Sequence, residues 1–327
     1  MTGNLAFHPH KPLVIGQSRQ VNTPTTIVDT PSTPNHRRQH SVLAASLMAV
    51  TAGMVWSFGA LTARLAKHTD AWQYLVWRSI GVFVVMELLN LRKRRAPLIT
   101  TAFGTGRRML FACGALMLAS VCFVYAIKNT SAANAALLSS ITPLLAAVLA
   151  RVFIGEHLSR ITIAAIGVAF IGLFVMVTGS GAGGGTNSMA GNVAAMASSL
   201  GFAGYMVTIR SSADRDWGPV LPGYAIMTVL MCAAVTVVNR NPLFPSAHDV
   251  GLAVLHGGAF IVIGTLLFNA GSRQVPAAAM AVFSQTETVF VPIWVFLGLG
   301  ERPAGTTIIG GLIIMTAVVG KALLERR

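Results

Sequence analysis

Apolar runs of about 20 residues recur along this chain, and that is the length a helix needs to cross a hydrocarbon core of about 30 Å. The runs lie at about 41–63, 71–91, 109–127, 132–152, 161–178, 189–209, 219–238, 250–270, 275–299 and 303–320. Charged residues make up only 10% of the sequence and hydrophobic ones 54%. A soluble globular domain carries roughly 25% charge, so a soluble multidomain enzyme is excluded. The expected fold class is an all-α integral membrane protein with ten transmembrane helices.

The chain also resembles itself at an offset of 145 residues. Ala132, Ala133, Ala136 and Ser139 fall on Ala277, Ala278, Ala281 and Ser284. Gly155-Glu156 falls on Gly300-Glu301 and Thr162-Ile163 on Thr307-Ile308, and Gly59, Trp72, Gly106 and Leu110 fall on Gly204, Trp217, Gly251 and Leu255. Matches clustered on one helix, polar knot and helix argue for an internal duplication. Each unit then holds five spans. Five is odd, so the second unit enters the membrane from the opposite side, and such inverted repeats meet around a site near the bilayer midplane. The expected divisions are a disordered tail over 1–40, repeats over 41–178 and 188–324, and a Gly-rich linker over 179–187.

The formal net charge is +14. Its Lys and Arg residues sit between the apolar runs or in the tails, with no basic face interleaved with aromatics, so nucleic acid is not an expected partner. With the N-terminus inside, eighteen Lys and Arg residues fall on inside segments and five on outside ones. That bias puts both termini in the cytoplasm of a multi-pass inner (plasma) membrane protein. The first apolar run is long and lacks a clear cleavage site, so it is not a signal peptide. Gly179, Gly181 and Gly184 match G-x-G-x-x-G, but a membrane span rather than a strand precedes them, so no dinucleotide is expected. Cys113, Cys122 and Cys232 lie inside apolar runs and read as reduced packing residues. No cofactor or metal is expected.

One set of residues has a familiar pattern: Val55-Trp56-Ser57-Phe58-Gly59 in the first span, Arg78 in the second, Thr130-Ser131-Ala132-Ala133 leading to Pro143 and Gly155-Glu156, then Gly167 and Gly172. Over residues 41–324 the chain resembles the EamA family of the drug/metabolite transporter superfamily. The resemblance implies a five-helix unit occurring twice, both ends inside, and transport of small metabolites, often as export. Two positions depart from the pattern. Thr288 stands where a proline opposite Pro143 is expected, with Pro292 close by, and Ser57 stands where glycine is usual.

Ionisable residues inside a membrane span are expensive, about 2.5–3.5 kcal/mol on insertion scales, and each is a candidate for function. Glu287 lies mid-span beside Ser284, Gln285 and Thr286, where a carboxyl suits proton coupling or a substrate amine. Arg78 can hold a carboxylate bidentately or anchor backbone carbonyls or Glu287. His256 sits among apolar residues and either titrates or packs. Trp56 either stacks on a substrate or fills the bundle. Glu87 lies near a span end and reads as snorkelling. Glu156 and Glu301, just before the next helix, read as hinge residues capping that helix. The small residues Ala146/Ala150 and Ala277/Ala281 fit close helix packing.

The reading is a secondary transporter, an exporter of a small polar or zwitterionic metabolite such as an amino acid, working by alternating access and coupled to protons. Its partners are the metabolite and the bilayer, and a homodimer is compatible. Two alternatives are a membrane-embedded enzyme, which lacks converging catalytic groups here, and a non-transporting scaffold that binds anionic lipid through its basic segments.

Overall fold

The computed structural model describes residues 34–92, 97–129, 141–179, 189–299 and 305–324, and every regular element among them is helical. The first half holds α1 (Pro34–Leu65), α2 (Ala71–Arg92), the short α3 (Leu98–Gly104), α4 (Arg107–Asn129), α5 (Thr142–Ile154) and α6 (Arg160–Gly179). The second holds α7 (Met189–Ser211), α8 (Val220–Val238), α9 (Ala247–Leu255), a π-turn (His256–Ile261), α10 (Val262–Gly271), α11 (Ala277–Ser284), α12 (Thr286–Leu299) and α13 (Gly305–Leu324). Among the described residues six segments are long and apolar enough to cross a membrane: Val42–Leu65, Ala71–Arg92, Arg107–Ala126, Met189–Ser211, Val220–Val238 and Ala247–Gly271. Four shorter apolar segments accompany them, Thr142–Ile154, Arg160–Gly172, Ala277–Val291 and Ile308–Lys321. This is an all-helical membrane protein. Residues 1–33 of the expected tail, residues 130–140, most of the Gly-rich linker and Glu301 lie outside the described residues, and α1 begins at Pro34, inside the stretch expected to be disordered.

Local chemistry sets the helix ends. At the start of α2 the Gln73 amide nitrogen donates to Asp70 Oδ1 at 2.7 Å and the Asp70 nitrogen to Gln73 Oε1 at 3.0 Å, a reciprocal cap. α9 begins at Ser246, whose Oγ accepts from the Asp249 nitrogen at 3.2 Å. Buried Pro143 opens α5, where its missing N–H costs nothing. Gly155 closes α5 with φ 66°, the left-handed conformation that glycine adopts freely.

Three features depart from the expected spans. α3 is an additional short helix between the second and third apolar runs. Its amino end is held by Glu87, which accepts from Leu98 N at 3.2 Å and Ile99 N at 2.9 Å, so this carboxylate caps a neighbouring helix rather than snorkelling. The eighth span contains the π-turn. The ninth is interrupted at Gln285, where Ser284 Oγ donates to the Ala281 carbonyl at 2.8 Å and Thr286 Oγ1 to the Phe283 carbonyl at 2.6 Å. Such hydroxyls compete with the main-chain ladder and loosen it.

The 145-residue offset is visible in three dimensions. Arg160–Gly179 shifted by 145 becomes 305–324, the bounds of α13, and Thr142–Ile154 becomes 287–299, within one residue of α12. Counterpart packs on counterpart in α2 with α8 and α6 with α13. The remaining principal pairings exchange under the shift: α4 with α7 matches α1 with α10, and α5 with α7 matches α1 with α12. Each of these contacts joins one half to the other. The small residues serve this packing, with Ala146, Ala150, Ala277 and Ala281 all buried.

Gly201 of α7 shows how close the halves come. A Cβ there would stand 2.8 Å from both the Ala115 carbonyl oxygen and the Ala119 nitrogen of α4. Gly167 of α6 faces open space. Overpacking of this kind costs about 1–3 kcal/mol. Gly201→Val is therefore expected to lower the thermal midpoint of the purified protein in detergent, and Gly167→Ala to leave it unchanged.

Candidate functional site

Helix α1 organises the interior, because successive turns of it meet different elements of the second half. Gly53 abuts the interruption in the ninth span: a Cβ there would lie 3.1 Å from the Ser284 carbonyl oxygen and 3.2 Å from the Glu287 nitrogen. One turn on, buried Trp56 packs edge-on against Phe202 of α7, with centroids 5.7 Å apart, and against Phe268 of α10 at 5.3 Å. Another turn on, Gly59 lies directly against the His256 ring that opens the π-turn.

The structure therefore sorts the predicted residues into two groups along α1. Gln285 and Glu287 flank the interruption, both half-buried, with Trp56 one turn away. Glu287 stands in the first turn of α12, where the helix dipole favours negative charge. Among the described residues no cation pairs with it. Arg78 does not reach it, and its guanidinium donates instead to Ser120 Oγ of α4.

Arg78 and His256 form the second group. The Arg78 backbone packs against Gly257 of the π-turn. His256 Nδ1 lies 2.8 Å from the Tyr74 hydroxyl, which lies 3.1 Å from Thr62 Oγ1. This buried chain links α1, α2 and the π-turn. π-turns of this kind recur at functional sites, but the histidine here is a satisfied hydrogen-bonding residue within the packing.

Trp56, Phe202, Tyr205 and Phe268 form one aromatic cluster. The Tyr205 hydroxyl donates to Asn269 Oδ1 at its edge. Trp56 Nε1 and Asn269 Nδ2 are buried there without a partner among the described residues. Sequence reasoning missed Asn269 and Tyr205. The 145 offset maps them to Val124 and Ala60, so the repeat carried no signal for either. Ser57, the departure from the family pattern, accepts from Trp294 Nε1 at 2.7 Å and so ties α1 to α12.

Polar contacts tie the halves together at the two ends of the bundle. At one end, Glu156 Oε1 accepts from Arg210 Nε at 3.0 Å and Oε2 from the Ala277 nitrogen at 3.1 Å. Glu156 thus caps α11 of the second half, while α6, the helix it was expected to cap, is capped by Ser159 Oγ accepting from Thr162 N at 3.0 Å. Arg210 Nη1 also donates to the Arg273 carbonyl at 2.8 Å. At the other end, buried Asp249 accepts from the backbone N–H of His68 at 2.7 Å, and Gln73 Nε2 donates to the Pro242 carbonyl at 2.6 Å. Ser246-x-x-Asp249 was readable as a helix start, but its reach to the α1–α2 loop was not.

Paired halves around a polar helix interruption are the build of a membrane transporter. The EamA-like transporter family model matches residues 43–178 and again 189–321. The chain belongs to that family, which is one of transporters and not of enzymes. Pseudopaline exporter CntI, from two strains of Pseudomonas aeruginosa, is 24% identical over 276 residues, which is 84% of this chain and 94% of the exporter. A solved crystal structure 20% identical in sequence superposes with a TM-score of 0.73, covering 86% of this chain and 99% of its own. That likeness shows the fold.

The side chains of Arg210 and Glu156 are only 25% and 14% exposed, so their pair is shielded more than a surface ion pair. Losing a hydrogen bond to a charged group costs about 1.5–3 kcal/mol. Glu156→Ala and Arg210→Ala are each expected to lower the thermal midpoint. The double variant is expected to fall short of their sum, as a double-mutant cycle by thermal melting reads directly.

Proposed function

We propose that this protein is a secondary transporter that exports a small polar or zwitterionic metabolite, such as an amino acid. In this reading the ten apolar segments are ten membrane passes. They form two inverted repeats, 41–178 and 188–324, joined by the linker 179–187 and preceded by the tail 1–40. Both termini are cytoplasmic and the membrane is the inner (plasma) membrane.

The observation that carries the reading is the interruption at Gln285. It begins α12 inside the ninth apolar segment and sets Glu287 in its first turn, against α1 of the other half. Interrupted helices at a repeat interface are where transporters hold charged substrate groups and coupling ions. Glu287 is the proton-coupling or amine-binding group, with Gln285 beside it. Trp56 and its aromatic neighbours form the wall one turn away. Arg78 and His256 hold the α1–α2–π-turn region that moves with that wall. The relationship to a pseudopaline exporter supports outward transport of a small metabolite.

Alternating access is then a rocking of one half against the other. The Glu156–Arg210–Ala277 contacts close one end, the Asp249–His68 and Gln73–Pro242 contacts the other, and each set is broken in turn. In proteoliposomes, a panel of amino acids and other small zwitterions is expected to include a substrate moved in exchange for protons. Glu287→Gln is expected to reduce that flux to the level of empty vesicles while keeping the wild-type thermal midpoint. Full flux in the variant removes Glu287 from the mechanism, and no flux with any member of the panel removes the substrate class.

A further inference from the structure

Beside the Glu156–Arg210 pair the surface opens into a cleft of about 460 Å³, lined by Arg108, Phe153, Ile154, Glu156, Arg210 and Ser211. Its walls are the first turn of α4, the last turn of α5 and the last turn of α7. All three are ends of apolar helices, so the cleft lies at the depth where hydrocarbon gives way to headgroups.

The charges in the cleft do not balance. Glu156 is the one carboxylate lining it, and both of its oxygens are engaged, by Arg210 and by the Ala277 nitrogen. Arg108 is exposed, donates to Ser212 Oγ at 2.8 Å and meets no carboxylate among the described residues. A guanidinium with donors to spare therefore faces the opening. The lip is of the opposite character. Phe153 is 72% exposed at the cleft, and exposed Val152, Val148 and Leu144, four residues apart on α5, continue an apolar strip from it toward the membrane interior.

A cationic floor at headgroup depth, continuous with an apolar strip, matches one kind of molecule. We propose that this cleft binds an acidic phospholipid, its phosphodiester held by the Arg108 guanidinium and an acyl chain lying along Phe153 and Val152. Guanidinium holds phosphate oxygens through paired N–H donors, and basic pockets between membrane helices are a recurring form of acidic-lipid recognition. The site is separate from the helix interruption at Gln285 and does not rest on the transport reading.

The test uses the full-length protein in phosphatidylcholine nanodiscs, titrated with phosphatidylglycerol and read by native mass spectrometry of the lipids retained. The general attraction of a basic side chain to an anionic surface is worth about a five-fold change in affinity, and a hydrogen bond to a charged group about a further ten-fold. Arg108→Gln, which loses both, is expected to weaken retention of phosphatidylglycerol by more than about ten-fold, and Arg107→Gln, with the same loss of charge one residue away, by about five-fold at most. Phe153→Ser is expected to weaken it as well. The proposal is overturned by equal retention of phosphatidylcholine, or by equal losses in the two arginine variants, which would indicate only general surface charge. It is also overturned if soluble glycerol phosphate displaces the lipid at the same concentration, which would make the cleft a site for free anions. Arg108 is exposed, so its variant is expected to melt like the wild type, and a lowered midpoint would assign it a structural role instead.

Discussion

Backbone-to-backbone approach between helices of the two halves is the interaction on which the rest of this bundle depends. Lipid gives apolar side chains no reason to leave it, so helices associate through close van der Waals contact at small residues. Gly201 against Ala115 and Ala119 is one such contact, and Gly172 of α6 against the Gly310 carbonyl of α13 is another. Both join residues of opposite halves. The halves are therefore partners in a single packing arrangement, and each helix of one is positioned by a helix of the other. The aromatic cluster around Trp56 forms where this rule is relaxed, because a bulky ring stands at the position that Gly201 occupies 145 residues later.

Much of this architecture was legible in the sequence. Apolar runs marked the helices, six of them long enough among the described residues to cross a membrane and four shorter, and the 145-residue offset carried bounds from one half to the other. The interruption at Gln285 was not legible. No proline or glycine marks it, and it arises from two hydroxyls, on Ser284 and Thr286, turning back onto carbonyls that a helix would otherwise use. The π-turn at His256 was hidden for a similar reason, since one extra residue in a turn leaves the length of an apolar run unchanged.

The candidate site was legible in part. Glu287, Gln285 and Trp56 stood out as polar or aromatic residues in apolar surroundings, and the fold brings them to neighbouring turns around α1. Arg78 and His256 stood out for the same reason but belong to a different cluster, because a sequence reports that a residue is polar and not what it faces. Glu156 is the clearest instance. Its motif marked a hinge, yet its partners Arg210 and Ala277 lie 54 and 121 residues away in sequence, and only the assembled bundle brings them within reach.

That convergence makes Glu156 the tie between the first half and two separate elements of the second. One carboxylate serves both the guanidinium of Arg210 and the first amide of α11, while the same guanidinium serves the carbonyl that follows α10. Shifting the α5–α6 hinge takes an acceptor from both of those elements at once. In the rocking motion proposed above, this end therefore parts as one unit rather than contact by contact.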